Sequence, residues 1–278
     1  MKCNINRYKS KHSNKTLIDS TKNQPLNCID LNDYFFHGIG TYLEPYQKIN
    51  RLRAILDSKA ILSESNQPDT FYLANALSQS PKCNGEDHIS ICQKESFLDK
   101  DQDSESFKLF VSHGISIILP KSIDSSLNVK NHFDPKDIWE WLDGEYRVPD
   151  EIPSEHFVGI GFPNRSLEEI AQSFHHLRRY SLDESIKHIL NSDWFKDLSS
   201  INSCLEYNDI DLPIYSIVSG KQMGDLYSAF ASVYGVNPNE VARICQRLQT
   251  PENERIGIYR DLSHRLISSF DFDDPFCK

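Results

Sequence analysis

The chain of 278 residues has no long apolar run, no paired cysteines, no excess of positive charge and only 11 glycines. No stretch approaches the roughly eighteen apolar residues that cross a bilayer, so a soluble protein with no membrane span is expected. The basic opening MKCNINRYKSKHSNK has no apolar centre and does not read as a secretion signal. Asp and Glu number 40 against 30 Lys and Arg, a net charge of −10. That balance keeps non-specific attraction to phosphate backbones from dominating, and it disfavours nucleic acid as a partner. The glycines of HGIG, residues 37–40, are too few to make a phosphate loop.

The 7 cysteines, Cys3, Cys28, Cys83, Cys92, Cys204, Cys245 and Cys277, are scattered. They include no CxxC pair and no Cys/His ligand spacing, which excludes the common zinc scaffolds, and no metal is expected. Their odd number fits reduced thiols in a cytoplasmic setting better than a disulfide framework. His175 and His176 read as a helix face, since no carboxylate is spaced to share a metal with them.

Against those absences, an 11% aromatic content argues for a folded chain of one large or two modest domains. Residues 1–27, rich in Lys, Asn and Ser, predict a flexible arm. DYFFHGIG predicts a short buried strand, and EPYQKINRLRAILDSKAI a helix with Ile49, Leu52, Ile55 and Leu56 on one face. Residues 63–87 are polar and loop-like, with one short helix at 71–78. HISICQK, ISIILP, EYRVP and HFVGIGF predict strands, SFLDKDQDSESF an acidic solvated insertion, and DPKDIWEWL a short helix capped by Asp134. After Asn164 the pattern turns helical, with Ser166 and Glu169 in capping-box spacing. The expectation is an α+β protein: arm 1–27, strand-rich domain 28–164, helical region 165–270 and frayed tail 271–278.

Three stretches of the strand-rich part, FFHGIGTY, INRLRAILDSKAILSES and DGEYRVPDEIPSEHFVGI, together resemble the ADP-ribosyltransferase superfamily. The first is similar to the His-Gly-Thr element ending the family's first core strand. The second is similar to the NLxxILxxGxLxS segment that follows it. The third is similar to the late strand that begins with the catalytic glutamate. The resemblance covers about residues 30–162, and it implies a split β-sheet core with NAD as co-substrate. It further implies transfer of a single ADP-ribose to a protein or other macromolecular acceptor, with release of nicotinamide. Glu145 is then the catalytic residue, and His37 and Gly38 bind NAD. The middle motif has two candidates: Tyr72 in FYLANALSQS, as a ring stacking on nicotinamide, or Ser90 in HISIC, as a hydrogen-bond support for Glu145. Asp143, two residues before Glu145, stands where the family orients its acceptor. No Lys or His stands there, which speaks against polymer elongation.

The chemistry asks for these residue types. Breaking the nicotinamide–ribose bond builds positive charge on the sugar, which a fixed carboxylate stabilises. A histidine ring nitrogen can bind a ribose hydroxyl. The Asn/Lys/Ile/Ser-rich texture and missing signal fit a bacterial, toxin-like effector, cytoplasmic or delivered into a host cytosol. Simpler readings stand beside this one: His37 as a core histidine, Glu145 and Arg147 as a charge pair of small worth, and Trp139 and Trp141 as core or pocket wall. The competing functions are a non-catalytic interaction protein on a decayed transferase fold, and an NAD-using enzyme acting on nucleic acid.

Overall fold

The computed structural model describes residues 18–19, 24–25, 27–39, 45–63, 88–131, 142–177 and 180–249. Tyr72, Trp139, Trp141, the short helices expected at 71–78 and after Asp134, the last expected helix and the 271–278 tail lie outside the described residues. The described residues form a mixed α+β structure with 8 helices and a mixed sheet. No helix among them is long and apolar enough to cross a membrane. The chain divides into two compact units, Met1–Ser166 with Lys196–Gly224, and Leu167–Phe195 with Asp225–Lys278.

The first unit is built on strands β3 (Tyr34–Ile39), β5 (His88–Gln93), β6 (Ile115–Pro120), β7 (Glu145–Pro149), β9 (Gly159–Phe162) and β10 (Ile214–Ser216). They lie in the order β10-β9-β6-β3-β5-β7. All pairs are antiparallel except β9–β10, which is parallel. β6 is central and buried from Ile115 to Leu119, as a run of branched apolar residues with water on neither face requires. Pro120 ends it. Two small pairs, β1 (Ile18–Asp19) with β2 (Gln24–Pro25), and β4 (Ala60–Leu62) with β8 (Glu151–Pro153), lie outside this sheet. Helix α1 (Pro45–Ser58) packs against β3 and β4 and buries Leu52, Ile55 and Leu56.

Alternation along β3 sends Phe36 and Gly38 to one face and Phe35, His37 and Ile39 to the other. On the Phe36 face a core forms from Phe36, Cys92, Phe107, Val111, Ile118, Val158 and Tyr215. Phe107 belongs to helix α2 (Glu105–Phe110), so the stretch expected to be a solvated insertion runs into a helix over its last three residues. Ser104 is the reason: its hydroxyl caps α2 by accepting the Phe107 N–H at 3.2 Å. A one-turn helix α3 (Asp124–Leu127) follows β6.

The sequence-based boundary at 164 does not separate the units, because Lys196–Gly224 belongs to the first and supplies β10. Three residues after a proline carry little strand signal, and the register of Ile214, Tyr215 and Ser216 with Ile160, Gly161 and Phe162 is set by distant pairing. The second unit is helical. It holds α4 (Leu167–Leu177), α5 (Leu182–Leu190), α7 (Leu226–Tyr234) and α8 (Pro238–Gln249). Helix α6 (Asp193–Tyr207) spans the division in the chain. α4 packs on α7, and α8 on both α5 and α7. Ser181 and Glu184 make a reciprocal capping box on α5, and Asp225 caps α7, which stops at Gly235 with φ 67°.

One tight approach fixes the seating of α2. A Cβ added at Gly38 would strike the backbone carbonyl of Phe110, the last residue of that helix. Gly38→Ala should therefore cost about 1–3 kcal/mol through overpacking, read as a lower urea midpoint at unchanged slope.

Candidate active site

Three neighbouring strands carry the candidate residues: His37 and Gly38 on β3, Ser90 on β5, and Glu145 at the start of β7. The turn into β7 runs through Gly144, whose φ of 80° favours glycine. A side chain there would also collide with Ser104. The turn is tied down from both sides. Gln93 donates its N–H to the Gly144 carbonyl at 3.0 Å, and Ser106 donates its hydroxyl to the Asp143 carbonyl at 2.7 Å.

Glu145 is only 5% exposed, and its carboxylate is held by three donors. The Ser90 hydroxyl reaches Oε1 at 2.8 Å, the Leu142 N–H reaches Oε2 at 3.1 Å, and Arg147 Nε lies 3.4 Å from Oε1. An ionised carboxylate offers about four acceptor sites, so capacity remains for one more donor. Arg147 is on the same strand, two residues on, rather than across a strand pair. Beside this carboxylate lies Cys92, paired in register with Glu145. Burial pushes the Cys92 thiol up, the Glu145 charge adds to that, and a hydrogen bond with Ser106 opposes it, so the thiol stays neutral.

His37 is 5% exposed and reaches the same serine from another direction. Its Nδ1 lies 2.9 Å from the Ser90 carbonyl oxygen, and a carbonyl can only accept, so Nδ1 carries the proton. Nε2 is then an acceptor, and it is buried with no hydrogen-bond partner. Burial chiefly, then the charge of Arg51, lowers the His37 pKa to about 4 against the opposing Ser90 bond, which keeps the ring neutral near pH 7. The contact is possible because β3 and β5 part early. Their ladder covers only Phe35↔Gln93 and Phe36↔Cys92, whereas β5 and β7 pair over five residues from His88↔Pro149 to Cys92↔Glu145.

Ser90 thus joins Glu145 to His37, through its hydroxyl on one side and its carbonyl on the other. The hydrogen bond expected between Ser90 and Glu145 is present. His37 and Glu145 do not meet directly. Glu145 registers with Cys92 and so shares the Phe36 face, opposite the face from which His37 projects. Gly38 is in the β3 ladder with Ser116, and the space its missing side chain leaves is filled by Phe110. Asp143 stands in the turn just before Glu145. It is 3% exposed, and its Oδ1 accepts the Phe97 N–H at 2.7 Å, which makes it an anchor for the loop before α2. Tyr72 lies outside the described residues.

Sequence reading missed Ser104 and Ser106, which pin the Glu145 turn, and Arg51, whose charge reaches His37. The only signal for the serines was their place one residue on either side of Glu105, where α2 starts. Among the described residues no group of His, Cys, Asp or Glu could hold a metal ion, and the described cysteines Cys28, Cys92, Cys204 and Cys245 are free thiols. No family model, no curated protein and no solved structure matches the chain.

Two outcomes test this geometry. Ser90→Ala removes a hydrogen bond to a buried charge and should cost about 1.5–3 kcal/mol in urea unfolding at pH 7. His37 has its folded pKa below its ordinary 6.5, so the unfolded chain binds the proton first. Its contribution is whole above about pH 6.5 and is lost as pH falls through about 4, about 3 kcal/mol in all. Between pH 7 and 4 the wild type should therefore lose more stability than His37→Leu.

Proposed function

We propose that this protein is an NAD-dependent mono-ADP-ribosyltransferase that moves one ADP-ribose from NAD to a protein acceptor and releases nicotinamide. The observation that carries the reading is the Ser90–Glu145 hydrogen bond between adjacent strands, next to a strand whose His37 keeps a buried acceptor nitrogen. His37, Ser90 and Glu145 stand on the neighbouring strands β3, β5 and β7, which supports the reading. A second detail agrees with it: Lys59 takes φ 57°, at the place where the family's helix-to-strand segment has glycine. The early parting of β3 and β5 likewise suits a split-sheet core.

The chemistry follows from these groups. The bond between the ribose carbon and the nicotinamide nitrogen breaks, its electron pair leaves with nicotinamide, and the acceptor then forms a bond to the same carbon. Glu145 supplies negative charge to the sugar as that bond weakens, and its remaining acceptor site suits the 2′-hydroxyl of the ribose. Ser90, Leu142 and Arg147 hold the carboxylate in place, so little reorganisation is needed.

The burial of Glu145, and its place on the face opposite His37, favour a second reading in which the chain binds without turnover. One experiment separates them. Purified protein is incubated with NAD and nicotinamide release is followed, with Glu145→Gln alongside. Transferase activity requires release by the wild type and a loss in the variant of about 2.7–4 kcal/mol of barrier, two to three orders of magnitude. Equal release by both removes Glu145 from catalysis, and no release by the wild type leaves the binding reading.

A further inference from the structure

Gln93 ends β5 with a buried amide, and its two backbone groups and both ends of that amide are engaged. Its N–H donates to the Gly144 carbonyl at 3.0 Å, and its carbonyl accepts the Ser104 hydroxyl at 2.6 Å. The side-chain Nε2 donates to the Glu95 carbonyl at 2.7 Å, and Oε1 accepts the Tyr146 hydroxyl at 3.0 Å. The amide stands only this way round, because the Glu95 carbonyl has no proton to give and must face the nitrogen. Burial chiefly raises the Tyr146 pKa, so the phenol keeps its proton near pH 7 and donates to Oε1. An apolar side chain of the same length would fill this place without the desolvation of an amide. The amide is explained by what it holds.

It holds the residues on either side of Glu145. Gly144 is tied through the backbone of Gln93, and Tyr146 through its side chain. The Tyr146 ring is fixed as well, with Phe35 at 4.6 Å and Phe97 at 5.6 Å between ring centroids. Gln93 registers with Phe35, and Glu145 with Cys92, so Gln93 and Tyr146 project from the face of the sheet opposite Glu145. A change in that amide therefore leaves the donors Ser90, Leu142 and Arg147 present and reaches the carboxylate only through the strand backbone. We infer that Gln93, acting through Tyr146, is a positioning residue that fixes the direction in which the Glu145 carboxylate points. The inference rests on the transferase reading and deepens it. Neither side chain touches the reacting atoms. Direction matters to the rate, because a misplacement of about 1 Å costs on the order of a hundredfold.

The test is nicotinamide release from NAD by the full chain, with kcat and KM measured for wild type, Tyr146→Phe, Gln93→Met and both changes together. Tyr146→Phe removes one hydroxyl and keeps the ring, and it should lower kcat about tenfold or more at unchanged KM. Gln93→Met should do the same, and the double variant should be no slower than the slower single one, since both changes break one contact. In a Glu145→Gln background Tyr146→Phe should slow release no further, because the carboxylate it aims is gone. A general loss of structure would instead add to the Glu145→Gln defect. A full rate in Tyr146→Phe, a rise in KM without a fall in kcat, or additive losses in the Glu145→Gln background would each overturn the role of Gln93. Should Gln93→Met fail to fold, the single hydroxyl change still decides the question. The parent reading fails differently. No release by the wild type removes the transferase and the positioning role with it, whereas release that Tyr146→Phe leaves intact removes the positioning role alone.

Discussion

A carboxylate taken out of water has to be met by donors, and the meeting of Glu145 organises much of the first unit. Ser90 must come from the neighbouring strand at the right register, Leu142 must turn its N–H back on the side chain, and Gly144 must take a left-handed conformation to bring the strand in. Those demands extend outward. The turn is closed by the Glu145 N–H on the Leu142 carbonyl and is braced where Ser106 holds Asp143 and Gln93 holds Gly144. Ser106 in turn stands at the start of α2, and the Phe107 that follows it seals the core over Phe36. A single buried charge is therefore tied to the seating of a helix through hydrogen bonds of about one net kcal/mol each, and of more where a charge is involved.

Much of this was legible in the sequence where the signal was local. The branched run of β6, the three-and-four spacing of Leu52, Ile55 and Leu56, and the Asp225 and Gly235 ends of α7 are each decided within a few residues. The pairing of Ser90 with Glu145 was legible for another reason: a resemblance suggested it, and alternation in two short strands allows it. The rest was not local. β10 needs a partner more than fifty residues away in the chain, and its three residues say little alone. The loop before α2 reads as solvent-loving because Asp99, Asp101 and Asp103 outnumber its apolar residues. The capping hydroxyl of Ser104 and the burial of Phe107 decide it instead. Asp143 likewise has a contact that the sequence does not announce, the Phe97 N–H on its Oδ1.

Arg51 shows what composition conceals. An acidic chain suggests that every guanidinium finds a carboxylate, and Asp183 with Arg247 fits that picture on the surface of the helical unit. In the first unit no carboxylate among the described residues pairs with Arg51, and the Nε2 of His37 is buried without a hydrogen-bond partner.

The brief ladder between β3 and β5 also has a mechanical side. Two residue pairs and one imidazole hold that boundary of the sheet, while β5 is joined to β7 by five pairs and β3 to β6 by six. Under load or thermal agitation a sheet gives way first along its least-stitched line, so β5 and β7 form one panel and β3, β6 and β9 another. His37 is the rivet between the panels. Widening of that line would carry Ser90 and Glu145 away from His37 together, as a rigid pair.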